Sequence, residues 1–277
     1  MGDEVRGDRI RPAGSEGRGR VAVRAADSVR KDMDDVRVAY ARTVADHGQT
    51  IQVSNTTKLD RYPVVFRAVA ALAAAAKIEQ PHILSFGSST GEEVFTLTQY
   101  FPGASVLGLD ISDAALEQAR ARYGHVPGVR FEKSGEFAVE PHSVDLIFAM
   151  SVLCRWPVTK QMDSIGHLYP FSAFEQHVTN LDTLLKPGGL LVIYNANYGF
   201  LHSRVSTGYD LVVHPTVRRA GQVRRFRRDG VFDPTVSPTD VIYRKRPAGE
   251  GAGERGLRIL NESLEVIAAI ERDIDVR

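Results

Sequence analysis

The stretch Ser85-Phe86-Gly87-Ser88-Ser89-Thr90-Gly91-Glu92-Glu93 joins a short apolar run to the start of a helical pattern. Glycine at 87 and 91 lets the backbone approach a ligand and adopt conformations that other residues resist. Asp110 closes the next apolar run, Val106–Leu109, roughly twenty residues on, where a carboxylate can accept hydrogen bonds from both hydroxyls of an adenosine ribose. A glycine turn alone is equally a plain structural turn; with Asp110 behind it, the pair reads as a nucleoside-binding edge. His167, His202 and Glu175 are the general-base candidates, the histidines because their pKa lies near working pH. His167 ranks first because it sits in a long connection, Arg155–Pro170, of the kind that often forms a substrate loop. His142 precedes an apolar run and is expected at the opposite edge.

The elements that must position these residues follow from an alternation of patterns. Ile83–Phe86, Val106–Leu109, Val129–Phe131, Val144–Met150 and Leu190–Tyr194 read as short buried strands. Between them lie helical segments that start at Gly91, span Ala114–Tyr123 with Ser112 as cap, and span Phe171–Leu185. Strands alternating with helices predict an α/β fold with a doubly wound, mostly parallel sheet, its ligands at the C-terminal strand ends. Residues 1–27 are Gly- and Arg-rich and predict a disordered N-terminus. Helices at Ser28–His47 and Tyr62–Lys77 predict an N-terminal helical lid over 28–80, and the sheet domain follows at 81–247. Val241–Arg244 reads as a late antiparallel strand. A linker and a C-terminal helix, Leu257–Ile274, are expected over 248–277, the helix packing on the domain or on a second subunit as a homodimer contact.

Composition narrows the class. The 277 residues are 43% hydrophobic and 25% charged, with formal net charge +1, which gives no global field for nucleic acid or membrane. The single cysteine, Cys154, excludes an intramolecular disulfide and fits a reducing compartment. With no signal-peptide pattern and no apolar run of about 18 residues, a cytoplasmic protein without membrane contact is expected. The basic pairs Arg218-Arg219, Arg224-Arg225 and Arg227-Arg228 read either as a site for phosphate or an acidic acceptor, or as a solvated, charged strand pair.

The turn lacks the third glycine of the dinucleotide fingerprint and carries Glu92 and Glu93 at the helix start, where carboxylates would repel a pyrophosphate but not an ammonium-bearing amino acid. Leu185-Lys186-Pro187-Gly188-Gly189 before an apolar strand, together with the order Asp110, Gly135-Glu136-Phe137, Val144–Met150 and Pro-Gly-Gly, resembles class I S-adenosylmethionine-dependent methyltransferases. The resemblance covers about residues 81–198. It implies a seven-stranded Rossmann-like sheet, with S-adenosylmethionine as cofactor and S-adenosylhomocysteine as product. It places Ser85, Gly87 and Gly91 under the methionine part, Asp110 on the ribose and Ile111 beside the adenine. Gly135, Glu136 and Phe137 would flank the adenine, and Met150 and Ser151 would end near the sulfonium. Arg61 and Tyr62 would close the site from the N-terminal helices.

The acceptor is less sharply marked. The Asp/Asn-Pro-Pro-aromatic turn of amino-methylating nucleic-acid enzymes is replaced by Ala149-Met150-Ser151-Val152, and Cys154 lacks the preceding proline of cytosine C5 enzymes, which speaks against nucleic acid. Ser88–Glu93 is similar to the Cys-Ser-Thr-Gly-Glu-Glu turn of chemotaxis-receptor glutamate methyltransferases. Asn195 and Asn197 suit polyol hydroxyls, and the neighbouring aromatics suit a stacking face, which resembles actinobacterial sugar O-methyltransferases of the methylmannose polysaccharide type. Some sugar methyltransferases of this fold use Mg²⁺; no Asp/Glu/His cluster with ligand spacing marks such a site, and metal dependence stays open. The expectation is O-methylation of a hydroxyl on a small polar molecule or sugar, with a histidine base. The alternatives are a protein carboxyl or RNA methyltransferase, or a non-catalytic S-adenosylmethionine-binding module.

Overall fold

The computed structural model describes residues 57–236, 239–247, 249–250 and 256–271. The expected disordered N-terminus and the helix expected at Ser28–His47 lie outside the described residues. Helix α1 (Pro63–Ala75) begins with proline in its first turn, where the missing N–H costs nothing, and buries Val65, Phe66, Val69 and Leu72. Strand β1 (His82–Phe86) and helix α2 (Glu92–Tyr100) flank the glycine turn. Then come β2 (Ser105–Asp110), α3 (Asp113–Tyr123), β3 (Val129–Lys133), β4 (Val144–Met150), α4 (Phe171–Leu184) and β5 (Leu185–Tyr194). Ser112 caps α3 as expected, its side chain accepting from the Ala115 N–H.

Strands β1 to β5 run parallel in the spatial order β3-β2-β1-β4-β5. The order reverses between β1 and β4, which opens a crevice at their C-terminal ends. Strand β7 (Ile242–Lys245) pairs antiparallel with β5, and β6 (Tyr209–Val212) antiparallel with β7. One face of the sheet is covered by α1, α2 and α3, and Phe66 of α1 meets Phe148 of β4 with ring centroids 5.7 Å apart. The other face packs against α4 and the segments after β4 and β5, around Phe174, Tyr169 and Tyr198.

Three expectations change. Among the described residues the sheet has nine strands, not seven. The predicted C-terminal helix is instead a strand pair, β8 (Leu257–Leu260) and β9 (Val266–Ile270). The spacing of Leu257, Leu260 and Leu264 imitates a helical stripe, but β6 offers an unpaired edge that β8 fills in parallel. Asn261 then fixes the β8–β9 turn by accepting from the N–H groups of Ser263 and Glu265. The third change concerns the lid. Its described helix, α1, is part of the sheet's own covering layer, and residues 61–62 at its N-terminal end reach the crevice edge.

Asp210 of β6 is fully buried and holds the added strands together. Its Oδ1 accepts from Arg246 Nε at 2.8 Å and its Oδ2 from Arg258 Nη2 at 2.7 Å. Burial raises the Asp210 pKa, but the guanidiniums of Arg258 and Arg246 outweigh it and hold the carboxyl below its ordinary value. Removing the charge leaves Arg246 without its carboxylate and Arg258 with only the more exposed Glu250. Asp210→Asn is expected to cost about 3 kcal/mol of unfolding free energy in a denaturant titration. A loss below 0.5 kcal/mol, the size of an ordinary surface substitution, would show that the triad contributes little.

Candidate functional site

The crevice is built from the exits of β1, β2, β4 and β5. Gly87 has φ +78, and a Cβ there would fall 2.4 Å from Val152 Cγ2. Gly91 has φ +93, and a Cβ there would fall 2.9 Å from Phe131 and Tyr123. The protein's own packing therefore requires both glycines, whatever ligand the turn also takes. The N–H groups of Gly87 and Ser88 both donate to Leu109 O, which locks the turn onto the end of β2.

Asp110 is tied in on both oxygens: Oδ2 accepts from Ser89 N at 2.8 Å and Oδ1 from Ser112 N at 2.9 Å. A carboxylate has about four lone-pair positions, so acceptor capacity remains on each oxygen. Ile111 beside it is 40% exposed, a large apolar side chain left open at a strand end. The backbone of Asp110 accepts from Ser134 N at 2.8 Å, which brings the turn Gly135-Glu136-Phe137 alongside. Within that turn Gly135 has φ +88, Glu136 pairs outward with Lys133, and Phe137 is covered by the Arg130 guanidinium at 4.4 Å.

The other half of the crevice is a hydrogen-bonded cluster. Ser151, just past Met150 at the end of β4, holds φ +61 and is buried. Its Oγ meets Tyr62 Oη at 2.6 Å and accepts from Asn195 Nδ2 at 2.7 Å. Tyr62 also stands against Tyr194, with ring centroids 4.9 Å apart. Burial raises the Tyr62 pKa, so the phenol stays protonated. Asn195 Oδ1 accepts from Gln222 N, and a Cβ on Gly221 would overlap that oxygen, which ties the segment 220–222 to the exit of β5.

Glu93, which the sequence marks as compatible with an ammonium but not as an individual site residue, stands out in the structure. Ser85 Oγ donates to its Oε1 at 2.8 Å. Part of Glu93 still meets solvent, but packing around its carboxyl is dense, and desolvation pushes its pKa up to about 8 against the lowering effects of Ser85 and Arg61. Its neighbour Glu92 differs: it accepts from Arg122 at 2.7 Å and from Thr90, so it is a turn-stabilising acid. The one available signal for Glu93 was that its position lies a single helical step from the glycine turn.

The structure brings Arg61, Tyr62, Ser85, Gly87, Asp110, Met150 and Ser151 to the crevice edge. The three proposed bases lie in other surroundings. His167 is exposed in its loop. Glu175 Oε1 accepts from Arg204 N at 3.0 Å and so caps the turn at 204–208. His202 lines a separate cavity beyond the end of β5. Asn197 is fully buried, clamping Arg155 N and Arg224 O, and Tyr198 is a core residue donating to Tyr169 O; neither is available to hold or stack a sugar. Cys154 is buried in the core, as its sequence context indicates. The basic stretch forms a short antiparallel pairing, Phe226 opposite Phe232, and several of its arginines are engaged: Arg224 bonds Asp163, Arg227 bonds Asp229, Arg228 lies over Phe171 and Arg225 is buried. Among the described residues no three His, Cys, Asp or Glu side chains gather as a metal site, and no helix is long and apolar enough to cross a membrane.

Residues 84–191 match the methyltransferase domain family. A trans-aconitate 2-methyltransferase from Deinococcus radiodurans is 32% identical over 132 residues, 47% of this chain and 44% of that protein. One from Methylobacterium radiotolerans is 33% identical over 46% of this chain and 43% of its own length. The chain thus spans less than half the length of these curated relatives. A SAM dependent methyltransferase from Aquifex aeolicus superposes with a TM-score of 0.33 at 19% identity, covering 47% of this chain and 63% of that one. The matched residues run from β1 into β5, the parallel core of the sheet.

The raised pKa of Glu93 has a consequence for stability. Between the ordinary 4.5 and about 8 the folded chain holds a proton that the unfolded chain gives up, so stability falls as pH rises through that window. Glu93→Gln removes the titration. Across pH 5 to 8, the melting temperature of the glutamine variant is expected to fall less than that of the wild type; parallel curves would contradict the assignment.

Proposed function

We propose that this protein is an S-adenosylmethionine-dependent methyltransferase acting on an oxygen of a small molecule. The observation that carries the reading is the acid Glu93, held by Ser85 beside the glycine turn, where burial raises its pKa. An amino-acid ammonium is the partner that would ionise it, and Arg61, whose charge already acts on Glu93, suits the accompanying carboxylate. Asp110 supplies the ribose acceptor and Ile111 an apolar surface for the adenine. The cofactor contributes a methyl group on a sulfonium, already activated for transfer. The chain's residues then bind, orient and exclude water: Ser151, Tyr62 and Asn195 fix the exits of β4 and β5 beside the donor site.

The acceptor divides into two cases. A hydroxyl needs a base, and His202 is the histidine lining the neighbouring cavity. A carboxylate already carries its electron pair and needs none. The relatives named for trans-aconitate, a tricarboxylate, support the second case. A sugar hydroxyl loses the support that Asn197 and Tyr198 were expected to give, since both are core residues. Purified protein is expected to bind S-adenosylhomocysteine in calorimetry and to pass labelled methyl to a small molecule. Asp110→Asn should weaken that binding at least about tenfold through loss of a charge-assisted bond to the ribose. Binding unaffected by Asp110→Asn would remove the ribose assignment, and binding without turnover on any acceptor would favour a non-catalytic module.

A further inference from the structure

Beyond the end of β5, a cavity of about 660 Å³ is bounded by Gly199, Leu201, His202, Arg225, Val236 and Tyr243, among others. Its size falls within the range that holds small organic ligands. Arg225 is only 8% exposed. Arginine is rarely buried unless paired, because an uncompensated cation loses its hydration and gains nothing in return. No carboxylate among the described residues stands at ion-pair distance from it. The acids on the cavity wall have other partners: Asp229 accepts from Arg227 at 2.8 Å and from Val231 N, and Asp233 accepts from Thr235. Arg225 thus brings to the cavity a charge that the protein itself leaves unanswered.

The cavity is continuous in chain with the donor crevice. Asn195, which holds Ser151, also accepts from Gln222 N, and two residues further on Asn197 O accepts from Phe226 N, next to Arg225. Residues 195 and 197 are at most about 7 Å apart at Cα. The segment 220–226 therefore runs along the exit of β5 from the crevice to the cavity.

The geometry points to Arg225 as the anchor for a carboxylate group of the acceptor, a small organic acid. This rests on the methyltransferase reading and adds the substrate class. The planar guanidinium offers two parallel N–H donors matched to a carboxylate. The same walls balance arginines 225, 227 and 228 against aspartates 229, 233 and 240, a lining without excess positive charge that suits a singly charged group better than a phosphate dianion.

The test is calorimetric, with the full chain saturated in S-adenosylhomocysteine and titrated with tricarballylate, a saturated tricarboxylate, and separately with inorganic phosphate. Wild type is expected to bind tricarballylate and not phosphate. Arg225→Gln should weaken the tricarboxylate about 30-fold or more while leaving S-adenosylhomocysteine affinity within about twofold. Arg225→Lys keeps the charge, loses the fork and should be intermediate, which covers the case in which the glutamine variant does not fold. Tricarballylate binding that neither variant changes, no binding by wild type, or Arg225-dependent binding of phosphate alone would each overturn the assignment. Failure of wild type to bind S-adenosylhomocysteine would instead strike at the cofactor reading, a separate outcome.

Discussion

The hydrogen bond from Ser85 to Glu93 holds an acid at the point where the sheet reverses its strand order. The arrangement depends on the parallel strands on either side. β1 ends on Ser85 and Phe86, the turn at 87–91 is pinned to β2 through Leu109, and α2 then starts with Glu92 and Glu93 in its first turn. A carboxylate there has the helix N-terminus behind it and little water in front, and desolvation prevails. On the far side of the crevice Ser151 and Asn195 both adopt left-handed backbone, which turns their side chains toward one another and toward Tyr62. Strain of that kind persists where surrounding contacts fix it.

The remainder of the chain supports and extends this crevice. The α1–α3 layer closes one face, and α1 carries Arg61 and Tyr62 at its leading end. On the other side of the sheet, β6 to β9 lengthen it beyond the usual antiparallel pair, and the buried Asp210 binds that extension together through two arginines. The segments after β4 and β5 cover α4's face with aromatic side chains and shape the Arg225 cavity. The crevice thus carries an acid held by Ser85, and the cavity a buried guanidinium.

Much of the core sheet was legible in the sequence because its strands are apolar runs between strong punctuation. Val144–Met150 needed no correction, and the other parallel strands and the antiparallel Ile242–Lys245 shifted by a few residues. The position of Asp110 at a strand end was legible because it closes the apolar run Val106–Leu109. Glu93 was not, since its meaning comes from burial beside Ser85, which spacing does not reveal. The tail misled for a physical reason: a strand pair with Leu257, Leu260 and Leu264 shares a helical stripe's spacing, and the open edge of β6 decided between them. Asn197 and Tyr198 looked like ligand contacts because they follow a strand at the functional edge, but Asn197 satisfies loop backbone groups and Tyr198 packs into the core. Arg225 was hidden among six arginines, and its burial alone distinguishes it.

The most direct measurement counts protons. If Glu93 is neutral in the empty protein and ionises against the ammonium of the ligand, binding of S-adenosylhomocysteine at pH 7 must release protons. Calorimetry in two buffers of different ionisation enthalpy reads that number. The account predicts release approaching one proton per molecule bound in the wild type and close to none in Glu93→Gln. Equal proton release in both proteins, or none in either, would contradict it.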